Sequence, residues 1–538
     1  MSLSYSAGFN YSPKVPFNKR IFTRRSDLTN EIRLNIGVAA LSAAFNKQWG
    51  TITHLAERYD VSRTFIYQLR NGLKKAGEFF FDETMIDTIP STVRKSVIAT
   101  MLSLRLEGGS SIGGISTIMK RHKHDLSSTG SISQTLSVIG GLLPMTMIIA
   151  EESMVSKFVV FAIDELYSKS YPILITVDPV SSCILRIELS KTCTGNDWKN
   201  HLDCLDSNGI KAVYRVSDEG SGLCAGQTMA ICDVVRQSDT YHSIAHTIGS
   251  WIYRLETLAY SAILYEYKRC ETLGSAKSER VREEREAKYV LARKRTATEI
   301  TKYENFLYIY QCIIGELNVF DSDGNLRNKQ HAEENIRCGL MLLEELNHPK
   351  ITNAVNKVRR TLTDLFHYFD FAKEIIEECK TIVVDEDSLK AYCLAWQWGK
   401  SSRKSKNSKR KNGALEQEKF CLEIAENLNQ LEDEEDNDRD IKIKREVYSR
   451  LDRIIQSSAM VECINSIIRP YLNTGKNNVT QEQLNLLMHY LNHRRYSDGV
   501  RKGKTPMEIL TGNDQTKDWI EILFDIIRKK DPALLLAS

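Results

Sequence analysis

The sequence predicts a multidomain, mostly α chain built around one α/β core. Three observations carry that prediction. At 538 residues the chain exceeds what a single ordinary hydrophobic core serves, so several domains are expected. Only 10 prolines and 28 glycines favour a helix-rich protein. Apolar runs of strand type are confined to a region starting near residue 157, with helical patterns before and after it.

Composition sets the class. A hydrophobic fraction of 42% and a charged fraction of 26% describe a soluble globular protein. The net charge of +4 is small for this length, so nucleic-acid binding does not follow from composition; the distribution of charge matters more. All 12 cysteines lie after residue 182, singly and without a CxxC pair, which speaks against structural zinc and for reduced thiols in a cytosolic setting. The opening MSLSYSAGFNYSPKVPFNKR lacks the apolar centre of a secretory signal, and VIGGLLPMTMIIA is too short to span a bilayer. The expectation is an intracellular, cytoplasmic protein with no membrane contact.

Residues 1–27 read as a polar arm carrying Lys14, Lys19, Arg20, Arg24 and Arg25. Residues 28–80 hold TITHLAERYDVSRTFIYQLRNGLKKAG, two short helices broken at Asp60-Val61, with Ser62 placed to cap the second. Ala56, Val61, Ile66 and Leu69 have the spacing for steep helix packing. Arg63, Thr64, Tyr67, Gln68 and Arg70 are then left on the outer face. This is the construction of a helix-turn-helix reader, although any helical hairpin shares the pattern. Residues 81–150 offer a second, glycine-interrupted candidate, with one helix ending near Arg121–His124 and another, capped by Ser127 or Ser128, containing Ile132, Leu136 and Ile139.

In residues 151–249, KFVVFAIDELY reads as one strand, PILITVDPVSSCILRIELS as two around a turn shaped by Asp178, and GIKAVYRVSDEGSG as another. A helix containing AGQTMAICDVV follows, giving three antiparallel strands, a connection, a parallel strand and a helix. Residues 250–451 are helical in pattern, with a basic run at 400–412 and an acidic run at 432–440 read as solvated loops. Residues 452–495 carry SSAMVECINSIIRPYL and a further helix in TQEQLNLLMHYLNHRR, and 496–538 form a tail opening with the basic turn GVRKGKTP.

Asp164 interrupts the first apolar strand, and Asp218 follows the strand AVYRVS. Strand interiors are depleted of Asp, and burying its charge is costly unless a cation shares it. Hard Mg²⁺ takes carboxylate oxygens and substrate phosphates. Adjacent first and fourth strands would bring the two aspartates together, and a helix over the sheet edge could add Glu462. On a helical projection Met460, Ile464, Ile467 and Ile468 gather on one side, and Glu462, Ser458, Asn465 and Ser466 on the other, with Arg469 near the polar stripe. A solvated Glu on an amphipathic helix fits the same projection. Of the rivals, Glu165 should point to the opposite face from Asp164, as strand neighbours do. Glu219 adjoins Asp218 in the same way, and Glu344 and Glu345 lie on a helix without polar company. His242 and His246 could approach DNA or the site, with a hydrogen-bonded structural role the better reading.

FAIDELY, RVSDEGSG and SSAMVECINSIIRPYL resemble the three catalytic segments of DDE transposases of the bacterial insertion-sequence type, which have a ribonuclease H-like core. LNLLMHYLNHRRYSDGVRKGKTPMEILTG is similar to the tail of those transposases and of retroviral-type integrases. The resemblance covers 157–247, 452–512 and the N-terminal reader. It departs from many relatives in the 244 positions between Asp218 and Glu462, which implies a large helical insertion before the catalytic Glu. It further implies DNA cleavage and strand transfer on two Mg²⁺ ions, with Mn²⁺ substituting, held by Asp164, Asp218 and Glu462. The partners implied are double-stranded DNA, as transposon ends and target, and further copies of the chain, at least a dimer at synapsis. Arg469, Arg494, Arg495, Lys502 and Lys504 become candidates for phosphate contacts, and Trp396 and Trp398 for stacking on a flipped base. A transposase-derived DNA-binding protein without chemistry and a structure-selective nuclease of the same core stand as alternatives.

Overall fold

The computed structural model describes residues 25–81, 88–147, 157–429 and 437–535. Two compact units divide between Ser96 and Val97, within a helix.

The first unit contains α1 (Asn30–Phe45), α2 (Thr51–Arg58) and α3 (Arg63–Phe81). Its core joins Ile36 and Ala40 of α1 to Leu55 and Ile66, with Ala56, Val61 and Leu69 packed against them. Asp60 takes a left-handed backbone (φ 48°) at the break, and the Ser62 hydroxyl accepts from the Phe65 amide at 3.1 Å, capping α3. The expected helix pair is therefore present, completed by α1, whose inner face is mostly alanine and glycine and gave little signal.

The second unit begins in α4 (Thr88–Leu106) and continues through α5 (Ile112–Arg121) and α6 (Thr129–Leu142). Ser128 caps α6 and Ile132, Leu136 and Ile139 are buried, as the sequence predicts. These helices do not form a unit of their own. A side chain at Gly140 would meet the Glu482 carbonyl at 2.2 Å, so α6 lies against backbone from the far end of the chain.

The sheet comprises β1 (Lys157–Ser168), β2 (Tyr171–Val177), β3 (Ile184–Leu189), β4 (Ile210–Ser217) and β5 (Arg236–Ser238) in the order β3-β2-β1-β4-β5. β1–β2 and β2–β3 are antiparallel, and β1–β4 and β4–β5 parallel. Asp178 shapes the β2–β3 turn by accepting the Ser181 amide at 2.9 Å. The crossover to β4 runs through α7 (Gly195–Ser207), opened by a Thr194/Asp197 capping box. After β4, α8 (Ser221–Met229) is shorter than expected and ends before Ala230, and three-residue β5 was not anticipated. So short a strand carries no readable alternation.

One face of the sheet packs on α7 and α8 through Phe161, Ile163, Trp198, Leu202 and Leu223. The other face, through Val160, Tyr214 and Val216, joins the core of the helical region. That region comprises a π-helical turn (Tyr241–His246), α9 (Ser250–Leu273), α10 (Glu279–Glu316), α11 (Lys329–Glu344), α12 (Pro349–Thr361), α13 (His367–Lys380), α14 (Glu386–Lys404), α15 (Ser408–Asn429) and α16 (Asn437–Leu451). The 250–451 segment thus shares its core with the sheet. The basic run at 400–412 is not a loop, since only 405–407 separate α14 from α15; the acidic run at 432–440 lies largely outside the described residues. Then follow α17 (Ala459–Thr474), α18 (Gln481–His493), α19 (Pro506–Thr511) and α20 (Trp519–Lys530). No helix among the described residues is long and apolar enough to cross a membrane.

Two buried histidines make the second unit acid-sensitive. Burial pushes His201 down to about 4 and His489 down to about 3, from an ordinary 6.5. Both are held neutral in the fold, while the unfolded chain takes up their protons below pH 6.5. Stability should therefore fall from pH 6.5 toward pH 4 by about 1 kcal/mol per pH unit for each group. Urea melts at pH 7, 6 and 5 check this, and His489→Gln should flatten the slope.

Candidate active site

The β1–β4 register pairs Ile163 with Ser217, and one step further brings Asp164 beside Asp218. Asp218 stands one residue beyond β4, and its charge reaches both Asp164 and Glu165. The Asp218 Oδ1 accepts the Gly220 amide at 3.0 Å, which fixes the turn into α8.

Glu462 arrives from the other end of the chain through a chain of hydrogen bonds. The Tyr214 hydroxyl of β4 brackets Ile455, donating to its carbonyl and accepting its amide, each at 2.9 Å. Thr240 donates its amide at 3.2 Å and its hydroxyl at 2.9 Å to the Gln456 carbonyl. Buried Asp239, past the end of β5, accepts the Ser458 amide at 2.8 Å through one oxygen. Its other oxygen accepts the Tyr241 amide at 2.7 Å and the His242 amide at 3.2 Å. Its own amide donates to Ser217 at 2.9 Å. One aspartate therefore ties the strand before Asp218, the turn bearing His242 and the start of the Glu462 helix.

On α17, Val461, Ile464, Asn465, Ile468 and Leu472 are buried, and Glu462, Ser466 and Arg469 are exposed. This turns the helix from its sequence projection. Asn465 was placed on the polar side, yet it is buried and its Nδ2 donates to Asp164 Oδ2 at 2.8 Å. The helix also carries on through Pro470 to Thr474. His242 Nε2 lies 3.0 Å from Glu462 Oε1, so this histidine reaches the site directly.

Burial pushes the Asp164 carboxyl up to about 7, and the charges of Asp218, Glu165 and Glu462 add to the shift. Glu165 is raised by burial and by Asp218. The pleat does send Glu165 to the other face, but Asp218 at the strand end acts on both carboxyls, so Glu165 is not remote from the site. Its Oε2 is buried with no hydrogen-bond partner among the described residues. The charges acting most strongly on Asp164 and Glu165 are thus all negative. The donor set is all carboxylate oxygen, which suits a hard divalent cation. Among the described residues, no group of three or more His, Cys, Asp or Glu side chains is drawn close enough to hold a metal. Asp164 instead bonds Asn465, and Glu462 bonds His242.

The remaining candidates separate clearly. Arg63, Thr64, Tyr67 and Gln68 are exposed on α3, and the Arg70 guanidinium lies 4.9 Å over the Tyr67 ring. Trp396 is not available for stacking: it is buried in the core, its indole donating to Asp452 at 2.8 Å, with Lys400 Nζ 4.4 Å over the ring. Trp398, 39% exposed on the same helix, is the freer of the two. Arg495 is engaged within the tail, donating to the Gly503 carbonyl at 2.7 Å and to buried Glu508 at 3.0 Å, a structural use that competes with a phosphate contact. Lys504 pairs with Asp514 at 2.8 Å, and Arg494 lies over Tyr490 at 5.4 Å. Arg469 and Lys502 are exposed.

Sequence reasoning missed Asp239, placed Asn465 on the polar stripe without giving it a role, and preferred a structural role for His242 over an approach to the site. Asn465 sits three positions after Glu462, one helical turn on, and that spacing was its available signal. No family model matches the chain, and no curated protein matches it.

Proposed function

We propose that the chain is a DNA phosphoryl-transfer enzyme of the DDE transposase type, with a ribonuclease H-like core, that cuts and joins DNA ends. The observation that carries this reading is the juxtaposition of Asp164 on β1 and Asp218 just past its parallel neighbour β4, with Glu462 in electrostatic reach. Asp164, Asp218 and Glu462 would hold the divalent cations, Mg²⁺ or Mn²⁺. When bound, these supply Lewis-acid stabilisation of charge on the attacking and leaving oxygens. Asn465 orients Asp164, His242 holds Glu462, and Asp239 keeps the two halves of the site together. The exposed face of α3 would read duplex DNA in the major groove, and Arg469 and Lys502 would contact phosphates. A cytoplasmic homo-oligomer acting on transposon ends completes the proposal.

The experiment is incubation of the full chain with Mg²⁺ and duplexes carrying the inverted repeats that flank its gene. The products expected are nicks ending in 3′-OH and strands joined to target DNA. Binding of such ends without any cutting in Mg²⁺ or Mn²⁺ would overturn the enzymatic reading. Arg63→Ala with Gln68→Ala should weaken end binding by about 2–4 kcal/mol by fluorescence anisotropy, from the usual cost of lost base contacts.

A further inference from the structure

Helix α9 leaves the core beside His242 and returns as α10. Trp251 and Leu255 root the outgoing helix, and Phe306, Ile309 and Ile313 root the return. Beyond those roots Ala259 and Ala262 of α9 and Ala292 and Thr296 of α10 are buried along the seam of the hairpin. The opposite side of α9 presents tyrosines at seven-residue intervals: Tyr253, Tyr260 and Tyr267 are 74%, 66% and 62% exposed, with Leu264 between them at 55%. At 100° per residue these four lie within about 60° of one another. Single exposed apolar residues are ordinary, but an aligned row at heptad spacing is the pattern with which one helix meets another.

The chemistry of the hairpin selects the occupant. Residues 250–316 carry 12 Lys and Arg against 10 Asp and Glu, so a polyanion gains little there. The stripe is complementary to itself when reversed. With two copies of α9 antiparallel about a two-fold axis at Ala262, Tyr260 faces Leu264 of the second copy. Tyr253 then meets Glu271, a phenol opposite a carboxylate, and Tyr267 meets Thr257. At their present exposure the four side chains would bury roughly 1,000 Å² over two copies, about the lower bound of a specific interface. We infer that the α9 stripe is an isologous, antiparallel dimer contact whose partner is a second copy of this chain.

The test is sedimentation velocity of the full chain without DNA or metal, from about 1 to 50 μM, a range suited to a small reversible interface. It uses neither ends nor cations, so its result is independent of the phosphoryl-transfer reading. A monomer–dimer equilibrium is expected, weakened at least about tenfold by Tyr260→Glu with Leu264→Glu. Tyr253→Glu, set against Glu271, should weaken it similarly, whereas Tyr253→Lys should keep it. These positions are exposed, and thermal melts confirm that each variant is folded. A chain monomeric throughout, or a dimer indifferent to the double variant, overturns the inference. Equal weakening by Tyr253→Glu and Tyr253→Lys overturns the antiparallel arrangement.

Discussion

Asp164→Ala, Asp218→Ala and Glu462→Ala should each reduce Mg²⁺-dependent end cleavage and joining by at least about 10³-fold. Each removes a carboxylate from a site that supplies several kcal/mol of charge stabilisation to the transition state, and 1.36 kcal/mol is a factor of ten. End binding should stay within about twofold, because α3 lies in the other compact unit. Asn465→Ala should lose about 10–100-fold, the usual effect of removing a group that orients a ligand. The measurement is cleavage of labelled ends beside anisotropy of the same complexes. Strand transfer retained by any of the three carboxylate variants contradicts the assignment.

The second large effect is on the stability of the metal-free protein. The folded Asp164 carboxyl, at about 7, lies above its ordinary 3.8, so the folded state holds this proton more tightly than the unfolded chain does. Its contribution therefore falls as pH rises from about 3.8 to 7, and the full penalty remains at pH 8. Asp164→Asn stays neutral at every pH, and should raise the metal-free Tm at pH 8 by a few degrees. Millimolar Mg²⁺ should raise the Tm of the native chain at pH 8, through binding to the folded state alone, and leave the Asn variant nearly unmoved. Scanning calorimetry with and without EDTA makes both comparisons. The histidine effect acts below pH 6.5 and does not interfere at pH 8.

Much of this architecture is legible in the residues, for identifiable reasons. KFVVFAIDELY and AVYRVS are long apolar runs, and their Asp residues stand out because a strand interior tolerates a carboxylate so poorly. The Ser62 and Ser128 caps show in the sequence because capping is local. What was not legible depends on distant contacts. The 244 positions before Glu462 left it open whether that helix returns to the sheet. The answer lies in Tyr214, Thr240 and Asp239, whose partners are over 200 residues away. Asn465 looks polar on a helical wheel, and its hydrogen bond to half-buried Asp164 explains its place in the buried face. Trp396 beside a basic run fits either base stacking or core burial in the sequence, and in the fold Asp452 holds its indole in the core.

The central claim is that Asp164, Asp218 and Glu462 form one divalent-cation site. Anomalous diffraction from crystals of the full chain soaked in Mn²⁺ measures this most directly. Mn²⁺ peaks are expected at the carboxylates of Asp164, Asp218 and Glu462. A soaked crystal with no peak at these carboxylates, and with the Asn465–Asp164 and His242–Glu462 bonds unchanged, would contradict it.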